Sequence, residues 1–223
     1  MSPRFLYLHG FASGPESSKG RALAAHFETK GLHLDRLNLR VPSFEHLRLS
    51  AMIRETRDRI SGGASGGDRD RAVLFGSSLG GLTAARTAEE DPRVSALVLL
   101  APAFRIIERW RMRLGDEAWN RWRETGWMET EDYGEKRMSR VDYAFAEEAE
   151  QIDARSSGWP DVRVPTLIVH GVNDPVVDVN LSRTWAHGKR HVRLVEVDDG
   201  HELGASIERI KAESDRFLTP YGL

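Results

Sequence analysis

A serine flanked by two glycines lies directly after a run of apolar residues. Gly76, Ser78 and Gly80, within AVLFGSSLGGLTAAR, form the pattern G-x-S-x-G. Between a strand and a helix, such glycines permit a tight turn that lifts the serine oxygen above the edge of a sheet. The N-terminus of the following helix also favours developing negative charge. The segment therefore predicts that Ser78 is the nucleophile of a covalent reaction.

The same pattern occurs a second time, centred on Ser65 in the glycine-rich stretch SGGASGGDRD. No apolar run precedes this copy and no helical pattern follows it, so we expect an exposed, mobile loop there. Ser77 is disfavoured for a different reason, because the pattern would need a glycine where Phe75 stands. The surrounding elements, rather than the pattern alone, select Ser78.

A serine hydroxyl needs an adjacent base, and histidine is the usual one. Position distinguishes the eight histidines of the chain, because the reactive groups of an open parallel sheet lie beyond the carboxyl ends of its strands. His201 follows the apolar run VRLVEV within DDGH, whereas His191 precedes the same run. We therefore expect His201 to be the base. His187 and His191 have the spacing of a helical metal pair, but Gly188 between them indicates a helix end, and no metal site is expected.

The segment PTLIVHGVNDPVVD supplies the carboxylate that would orient this histidine. Asp174 lies just past the end of an apolar run, and Pro175 biases it toward extended conformations. A carboxylate in this place holds the imidazole in the required tautomer and stabilises the imidazolium. Asp178 is the alternative acid, although its position suits the N-cap of the next helix. We interpret the adjacent pair Asp198 and Asp199 as turn residues.

Short apolar runs alternate with helix-length amphipathic segments along the chain, a rhythm typical of βαβ units in a parallel sheet. Helices are predicted from about Ser17 to Gly31 and from about Phe44 to Ile60. The apolar runs predict six strands: Phe5 to Leu8, Leu34 to Leu39, Ala72 to Phe75, Val94 to Leu100, Thr166 to Val169 and Val192 to Val197.

The rhythm breaks in residues 103–155, where the chain is far longer than one connecting helix needs. Trp119 and Trp122 would share one face of a helix that Asp116 caps, and residues 127–143 could form a short hairpin around Gly134. The tryptophans could form a cap over a substrate or could only seat the insertion on the core. The insertion contains four of them: Trp110, Trp119, Trp122 and Trp127.

Four arginines in the same insertion offer a second choice of interpretation. They could meet an anionic substrate, but the acidic residues close to them favour a solvated, ion-paired face. The four are Arg105, Arg109, Arg111 and Arg113, with Glu108, Asp116 and Glu117 nearby.

The composition excludes several classes of protein. With 223 residues, of which 40% are hydrophobic, the chain suits a single domain over residues 1–223 that includes the insertion. The 32 basic and 34 acidic residues nearly balance, which disfavours nucleic acid or a membrane as partner and favours a small molecule. The chain has no cysteine, so disulfides and a cysteine nucleophile are excluded. The apolar run at the N-terminus is too short for a signal peptide, and a cytoplasmic location is expected.

Three groups of motifs resemble the α/β-hydrolase superfamily: YLHGF near the start, GSSLGG in the middle, and HGVNDPVV with DDGH late in the chain. HGFASGPESSKG followed by GSSLGG further resembles the small bacterial esterases of the YqiA group. The resemblance implies an α/β-hydrolase fold, with a doubly wound, six-stranded parallel sheet in the order 2-1-3-4-5-6. No N-terminal hairpin precedes this sheet, and residues 103–155 would be a lid-like insertion after strand four.

The resemblance also implies a site and a reaction. The backbone N–H groups of Leu79 and Phe11 would form the oxyanion hole, and His9 would be a buried histidine that holds the Phe11 loop or, alternatively, a substrate contact. We expect hydrolysis of a small-molecule carboxylic ester through an acyl-enzyme, without a cofactor or metal. A thioesterase or other acyl hydrolase would use the same residues. A carbon–carbon bond hydrolase or lyase and a non-catalytic binding protein of the same fold are less favoured alternatives.

Overall fold

The computed structural model describes residues 3–62 and 71–221. The second G-x-S-x-G, with Ser65, therefore lies outside the described residues. The strands in the described part are β1 (Arg4–Leu8), β2 (Leu34–Leu37), β3 (Ala72–Ser77), β4 (Val94–Leu100), β5 (Trp127–Asp132), β6 (Arg137–Asp142), β7 (Thr166–Gly171) and β8 (Val192–Val197).

Six of these strands form one sheet in the order β2-β1-β3-β4-β7-β8. Every neighbouring pair in it is parallel. Counted within this sheet, the strands follow the predicted order 2-1-3-4-5-6, which is confirmed. Strands β5 and β6 form a separate antiparallel hairpin. All the sheet strands run in one direction, so the loops that leave their carboxyl ends meet at one edge.

Helices connect the strands and cover the sheet. None of the helices in the described part of the chain is long and apolar enough to cross a membrane. They are α1 (Ser18–Glu28), α2 (Leu49–Ile60), α3 (Leu79–Glu90), α4 (Ile106–Thr125), α5 (Ala144–Ala154), α6 (Val179–Ala186) and α7 (Ile207–Leu218), and a short 3₁₀ turn follows at Thr219–Tyr221.

Alternation of side chains along the strands divides the core into two layers. Leu6 and Leu8 face one cluster with α2, α3 and the insertion, whereas Phe5 and Tyr7 face a second cluster with α1 and α7. Successive residues of a strand point to opposite faces, and here both faces are buried. The continuous apolar runs of the sequence follow from this double burial.

Two predicted helix boundaries were wrong. Helix α2 begins at Leu49 rather than near Phe44, because Arg48 has an extended backbone (φ −139°, ψ 125°) that cannot continue a helix. Phe44 and Leu47 are nevertheless buried, and their helix-like spacing explains the misplaced start. Helix α1 begins close to the predicted Ser17, whose side chain caps it, but it ends at Glu28, before the turns that lead to Gly31.

Residues 103–155 contain α4, the β5–β6 hairpin and α5. The hairpin over residues 127–143 is therefore present. Helix α4 is interrupted at Gly115, which has a left-handed φ of 73° and a ψ of 168°. The predicted N-cap at Asp116 was wrong, because its exposed side chain makes no hydrogen bond within the described residues, and the break falls on the glycine before it.

The tryptophans of the second half of α4 pack inside the insertion. Trp119 and Trp122 are 4% and 1% exposed, so both are interior side chains, although Trp119 also borders a cleft between α4 and α5. The Trp122 indole N–H donates to the carbonyl of Val141 on β6, at 3.0 Å. Both rings also meet the Tyr143 ring edge to face. Trp122 thus joins helix and hairpin into one packed unit.

Ion pairs fasten the hairpin to the segment between β2 and α2. Arg40 forms a bidentate salt bridge with Asp132, whose side chain is fully buried. One of the two hydrogen bonds measures 2.8 Å. Arg48 makes a second such contact with Asp142, at 2.7 and 2.9 Å. Burial opposes ionisation of both carboxyls, but the hydrogen bonds and charges of the arginines, together with the other hydrogen bonds that each carboxylate accepts, outweigh it and hold their pKa values below the usual range.

Candidate active site

The predicted reactive residues follow three strands of the sheet. Ser78 comes directly after β3, Asp174 lies in the loop after β7, and His201 lies in the loop after β8. All three strands are parallel, so these loops leave the sheet at the same edge. The structure brings the three side chains into contact there, although they are far apart in the sequence.

Ser78 occupies a sharp turn between β3 and α3. Its backbone has φ 54° and ψ −117°, a conformation that is costly for any residue with a side chain. Four hydrogen bonds hold the turn: the Ser78 N–H donates to Leu100, and the Ser78 carbonyl accepts from Gly81, Leu82 and Ala103, all at 2.9–3.1 Å. The strain at this residue is therefore imposed by its neighbours in the fold.

The flanking glycines are required by close backbone contacts. A Cβ atom on Gly80 would lie 2.1 Å from the carbonyl oxygen of Leu8, and one on Gly76 would lie 2.4 Å from the carbonyl oxygen of Gly80. No side chain fits at such distances. The two glycines of G-x-S-x-G are therefore needed because α3 packs closely against β1 and β3.

His201 lies between the serine and the aspartate. Its Nε2 is 3.0 Å from the Ser78 Oγ, and its Nδ1 is 2.8 Å from an Asp174 carboxylate oxygen. An ionised carboxylate only accepts, so Nδ1 carries the proton and Nε2 is free to accept the serine proton. Asp199 shapes the loop, because its carboxylate accepts from the backbone N–H groups of Gly200 and Ser206.

Asp174 is held by its own loop. Its side chain is fully buried, and its Oδ1 accepts from the backbone N–H groups of Val176 and Val177, at 2.8 and 2.7 Å. Burial opposes its ionisation, but hydrogen bonds from His170, His201 and the Val177 N–H together hold the pKa of Asp174 well below its usual range. The carboxylate therefore stays ionised and accepts in a fixed direction.

The structure adds His170, which the sequence analysis did not single out. This side chain is completely buried, and its Nε2 lies 3.3 Å from the Asp174 Oδ2 and 2.9 Å from the Val177 carbonyl. Its Nδ1 is 2.7 Å from the Ser182 hydroxyl. The available signal was a histidine inside an otherwise apolar strand, four residues before the acid, which is unexpected in a core unless it has partners.

The two residues whose backbone N–H groups are predicted to form the oxyanion hole lie close to Ser78. Leu79 is the first residue of α3, so its N–H has no acceptor within the helix. The Phe11 N–H makes no hydrogen bond to any described residue. The loop that contains Phe11 lies against the serine, because a Cβ on Gly10 would be 3.2 Å from the Ser78 Cβ. The role of these two N–H groups as oxyanion donors stays a prediction.

Hydrogen bonds of the buried His9 side chain hold the Phe11 loop in place. It is 3% exposed, and its Nε2 accepts from the Leu39 N–H at 3.0 Å, which leaves Nδ1 to donate to the Gly10 carbonyl at 2.9 Å. Burial lowers the pKa of His9, so the neutral form that makes both bonds is favoured. This matches the interpretation of His9 as a loop-holding histidine.

The rival residues have other roles. The Asp178 side chain accepts from the Asn180 N–H and caps α6, and Asp198 accepts from the Asn173 side chain. His191 precedes β8 and bonds to the Val162 carbonyl at the opposite end of the strands. Within residues 3–62 and 71–221, no three His, Asp or Glu side chains are grouped as a metal site.

The first turns of α4 lie over this edge of the sheet. The Trp110 ring meets the Phe11 ring edge to face, with centroids 4.8 Å apart, and Arg109 donates to the Val176 carbonyl beside the acid. A cavity next to the Phe11 loop, lined by Phe44 and Met52 among others, holds only about 10 Å³. That is room for roughly one water molecule.

The parallel sheet, its strand order and the helices around it define an α/β-hydrolase fold, and solved structures with that fold match nearly the whole chain. The α/β-hydrolase domain-containing protein 10 from mouse is 19% identical and has a TM-score of 0.79, covering 99% of this chain and 91% of that one. Est1E from Butyrivibrio proteoclasticus is 21% identical, with a TM-score of 0.76 and coverage of 99% and 88%. At these identities the likeness establishes the fold alone.

The chain belongs to the uncharacterised protein family UPF0227, whose model matches residues 4–215. Among curated proteins, no sequence matches it significantly. The α/β-hydrolase fold that the motifs implied is confirmed by the solved structures.

Proposed function

We propose that the protein is a serine hydrolase that cleaves a carboxylic ester of a small molecule through an acyl-enzyme. The observation that carries this proposal is the continuous chain from the Ser78 Oγ through His201 to Asp174, with contacts of 3.0 and 2.8 Å. The chain lies at the carboxyl edge of the sheet, where ligands of open α/β sheets bind.

The reaction proceeds in two halves. In the first, the Ser78 oxygen attacks the ester carbonyl carbon while the Nε2 of His201 takes the hydroxyl proton. The tetrahedral intermediate collapses, the bond to the alcohol oxygen breaks, and His201 passes its proton to the departing alcohol. In the second half, His201 takes a proton from water, the resulting hydroxide attacks the acyl-enzyme, and the acid leaves as Ser78 regains its proton.

Two groups of residues support these steps. Asp174 keeps the His201 ring in the tautomer that accepts at Nε2, and its charge stabilises the imidazolium formed in each half. The backbone N–H groups of Leu79 and Phe11 donate to the negative oxygen of each tetrahedral intermediate, a contribution of about 3 kcal/mol per donor in comparable sites. Both donors belong to the backbone, so the Phe11 side chain is free to line the pocket.

We further propose that residues 103–155 act as a cap within one domain that spans the chain. The contact between the Trp110 and Phe11 rings supports this, because it brings α4 next to a residue whose N–H is a proposed oxyanion donor. Est1E, one of the similar structures, has been solved with ferulic acid bound, and esters of aromatic acids of that kind are therefore candidate substrates to test.

A fluorophosphonate probe tests the nucleophile directly. We expect one adduct on folded wild-type protein, located at Ser78 by mass spectrometry, and no adduct on Ser78→Ala. Ser77→Ala is the matched control, since it removes the neighbouring hydroxyl and should still be labelled. An adduct at another residue, or ester turnover retained by Ser78→Ala, would overturn the proposal.

Matched substrate series test the reaction class. Rates on p-nitrophenyl esters of increasing acyl length, compared with acyl-CoA thioesters of the same lengths, separate an esterase from a thioesterase. We expect a higher kcat/KM on the esters than on the thioesters of the same acyl length. A preference for the thioesters at every length would move the assignment to the thioesterase, with the same residues in the same roles.

A further inference from the structure

Arg109 differs from the other arginines at the start of the insertion. Arg105 pairs with Glu108 one turn away and lies over the Trp159 ring, and Arg111 and Arg113 are exposed to solvent. Arg109 is half-buried, and no carboxylate within the described residues lies within ion-pair distance of it. It is the arginine that turns inward from α4.

Of the two terminal nitrogens of the Arg109 guanidinium, one has a hydrogen-bond partner among the described residues and the other has none. The Nη2 donates to the carbonyl of Val176, whereas the Nη1 is buried and has no hydrogen-bond partner within the described part of the chain. A buried donor without a partner is unfavourable and rare in native proteins. Arg86 provides a contrast, because its Nη1 and Nη2 both bind acidic side chains.

The position of Arg109 links it to the proposed reaction. Val176, which it contacts, also donates its N–H to the Asp174 carboxylate, and the neighbouring Trp110 packs on Phe11. Two consecutive residues of α4 thus contact the acid loop on one side and the proposed oxyanion loop on the other. A substrate that binds between these two loops would therefore meet the part of α4 that carries Arg109.

The charge of Arg109 is not neutralised by the acids around it. Asp174 is committed to His201 and to two backbone N–H groups, and Asp178 caps α6. Burial lowers the pKa of Arg109, and the two aspartates act on it only through space in the opposite direction. The guanidinium remains charged, because arginine is not deprotonated in proteins.

We propose that Arg109 binds an anionic oxygen group of the substrate, a carboxylate or a phosphate, so that the protein prefers acidic esters. The inference rests on the proposed esterase function and names the substrate class of that site. A guanidinium with a free Nη1 is suited to such a group, since N–H donors in a planar fork match the oxygens of carboxylates and phosphates.

Pairs of substrates of similar size, one anionic and one neutral, test whether the protein prefers acidic esters. The p-nitrophenyl ester of succinate is compared with that of pentanoate for an acid on the acyl side, and 4-acetoxybenzoate with 4-acetoxybenzamide for an acid on the leaving side. In Arg109→Met we expect the anionic-to-neutral ratio of kcat/KM to fall about 10- to 100-fold in at least one pair, as for loss of a hydrogen bond to a charged group. Arg113→Met, exposed on the same helix, should leave both ratios unchanged.

A binding measurement separates this inference from the reaction itself. Calorimetry on the Ser78→Ala protein measures binding of 4-hydroxybenzoate, succinate and inorganic phosphate, without any turnover. We expect Arg109→Met in that background to weaken at least one of them about tenfold or more, and the ion affected distinguishes carboxylate from phosphate.

The two proposals fail in different ways. If Ser78 is labelled and neutral esters are cleaved, but the ratios and the anion affinities are the same in Arg109→Met as in wild type, the anionic substrate class is wrong and the esterase stands. If Ser78 is not labelled and no ester is cleaved, the esterase is wrong and the inference about its substrate falls with it. Circular dichroism and the Tm of Arg109→Met confirm that the variant is folded.

Discussion

The catalytic edge and the insertion are held in place by different kinds of contact. At the edge, Ser78, Asp174 and His201 each follow a strand by a few residues, and mostly backbone groups from the same loops fix them. In the insertion, residues 103–155, side chains make the contacts. Arg40, which lies outside the insertion, binds Asp132, and Trp122 donates to Val141 on β6. The edge is therefore encoded in short segments, whereas the insertion depends on partners distant in sequence.

This difference predicts that damage to the two regions will have separate consequences. A change at the edge should act first on activity, and the main loss of stability there should come from the buried Asp174 carboxylate, whose ionisation stabilises the fold. A change among the interior tryptophans or ion pairs of the insertion should remove stability first. Four substitutions test this separation.

Asp174→Asn should have the largest effect. Loss of the carboxylate removes the group that fixes the His201 tautomer, and we expect kcat/KM to fall by roughly 10³ to 10⁴. Asp178→Asn is the matched control, because asparagine still caps α6 and the residue has no contact with His201; its kcat/KM should stay near the wild-type value. Equal losses in the two variants would contradict the assignment of Asp174.

The same variant makes a prediction about pH. The pKa of Asp174 is depressed in the folded protein, so its ionisation stabilises the fold above about pH 4, the pKa of an unfolded aspartate. That contribution is lost as the pH falls further toward the folded-state pKa. Urea unfolding should therefore show the stability gap between wild type and Asp174→Asn narrowing below about pH 4.

Trp122→Ala should have the largest effect on stability. The ring is 1% exposed, and its loss leaves a cavity and removes the hydrogen bond to the Val141 carbonyl, at a cost of about 3–5 kcal/mol in the free energy of unfolding. Met112→Ala changes a 69% exposed side chain in the same insertion and should alter stability by less than about 0.5 kcal/mol. Comparable losses from both would mean that the insertion has no packed interior.

Arg40→Gln should loosen the hairpin by a smaller amount. The fully buried Asp132 loses its charged partner, and we expect a cost of about 1.5–3 kcal/mol in the free energy of unfolding. Glu117→Gln breaks an exposed pair with Arg121 and should cost about 0–1 kcal/mol. Faster proteolysis of residues 127–142 in Arg40→Gln, with fluorophosphonate labelling retained, would separate the insertion from the edge.

His170→Gln should have the smallest effect on catalysis, because this side chain acts on the reaction only through Asp174. We expect a loss of about tenfold in kcat/KM, the size typical of coupled neighbours. In the Asp174→Asn background the same substitution should cause little further loss. A full tenfold loss in that background would show that His170 serves the stability of the core and does not position the acid.

Much of the fold could be predicted from the sequence. The apolar runs predicted the strands, because these strands are buried on both faces. The order of the strands in the sheet came from the resemblance to the α/β-hydrolase superfamily, which the motifs at the carboxyl ends of the strands carry. The predicted start of α2 was wrong, because burial of Phe44 and Leu47 imitates a helical pattern that the extended backbone of Arg48 interrupts. Local patterns do not reveal that Arg48 is drawn toward Asp142, a residue in a distant part of the chain.

The candidate site divides in the same way. The sequence by itself pointed to Ser78, His201 and Asp174, since glycine spacing and position after a strand are local consequences of a sharp turn at the end of a buried strand. Only the tertiary structure revealed that His170 contacts Asp174. It alone also revealed that a buried nitrogen of the Arg109 guanidinium has no hydrogen-bond partner among the described residues. Burial and hydrogen-bond satisfaction are properties of side chains from several elements packed together, and no spacing along one segment records them.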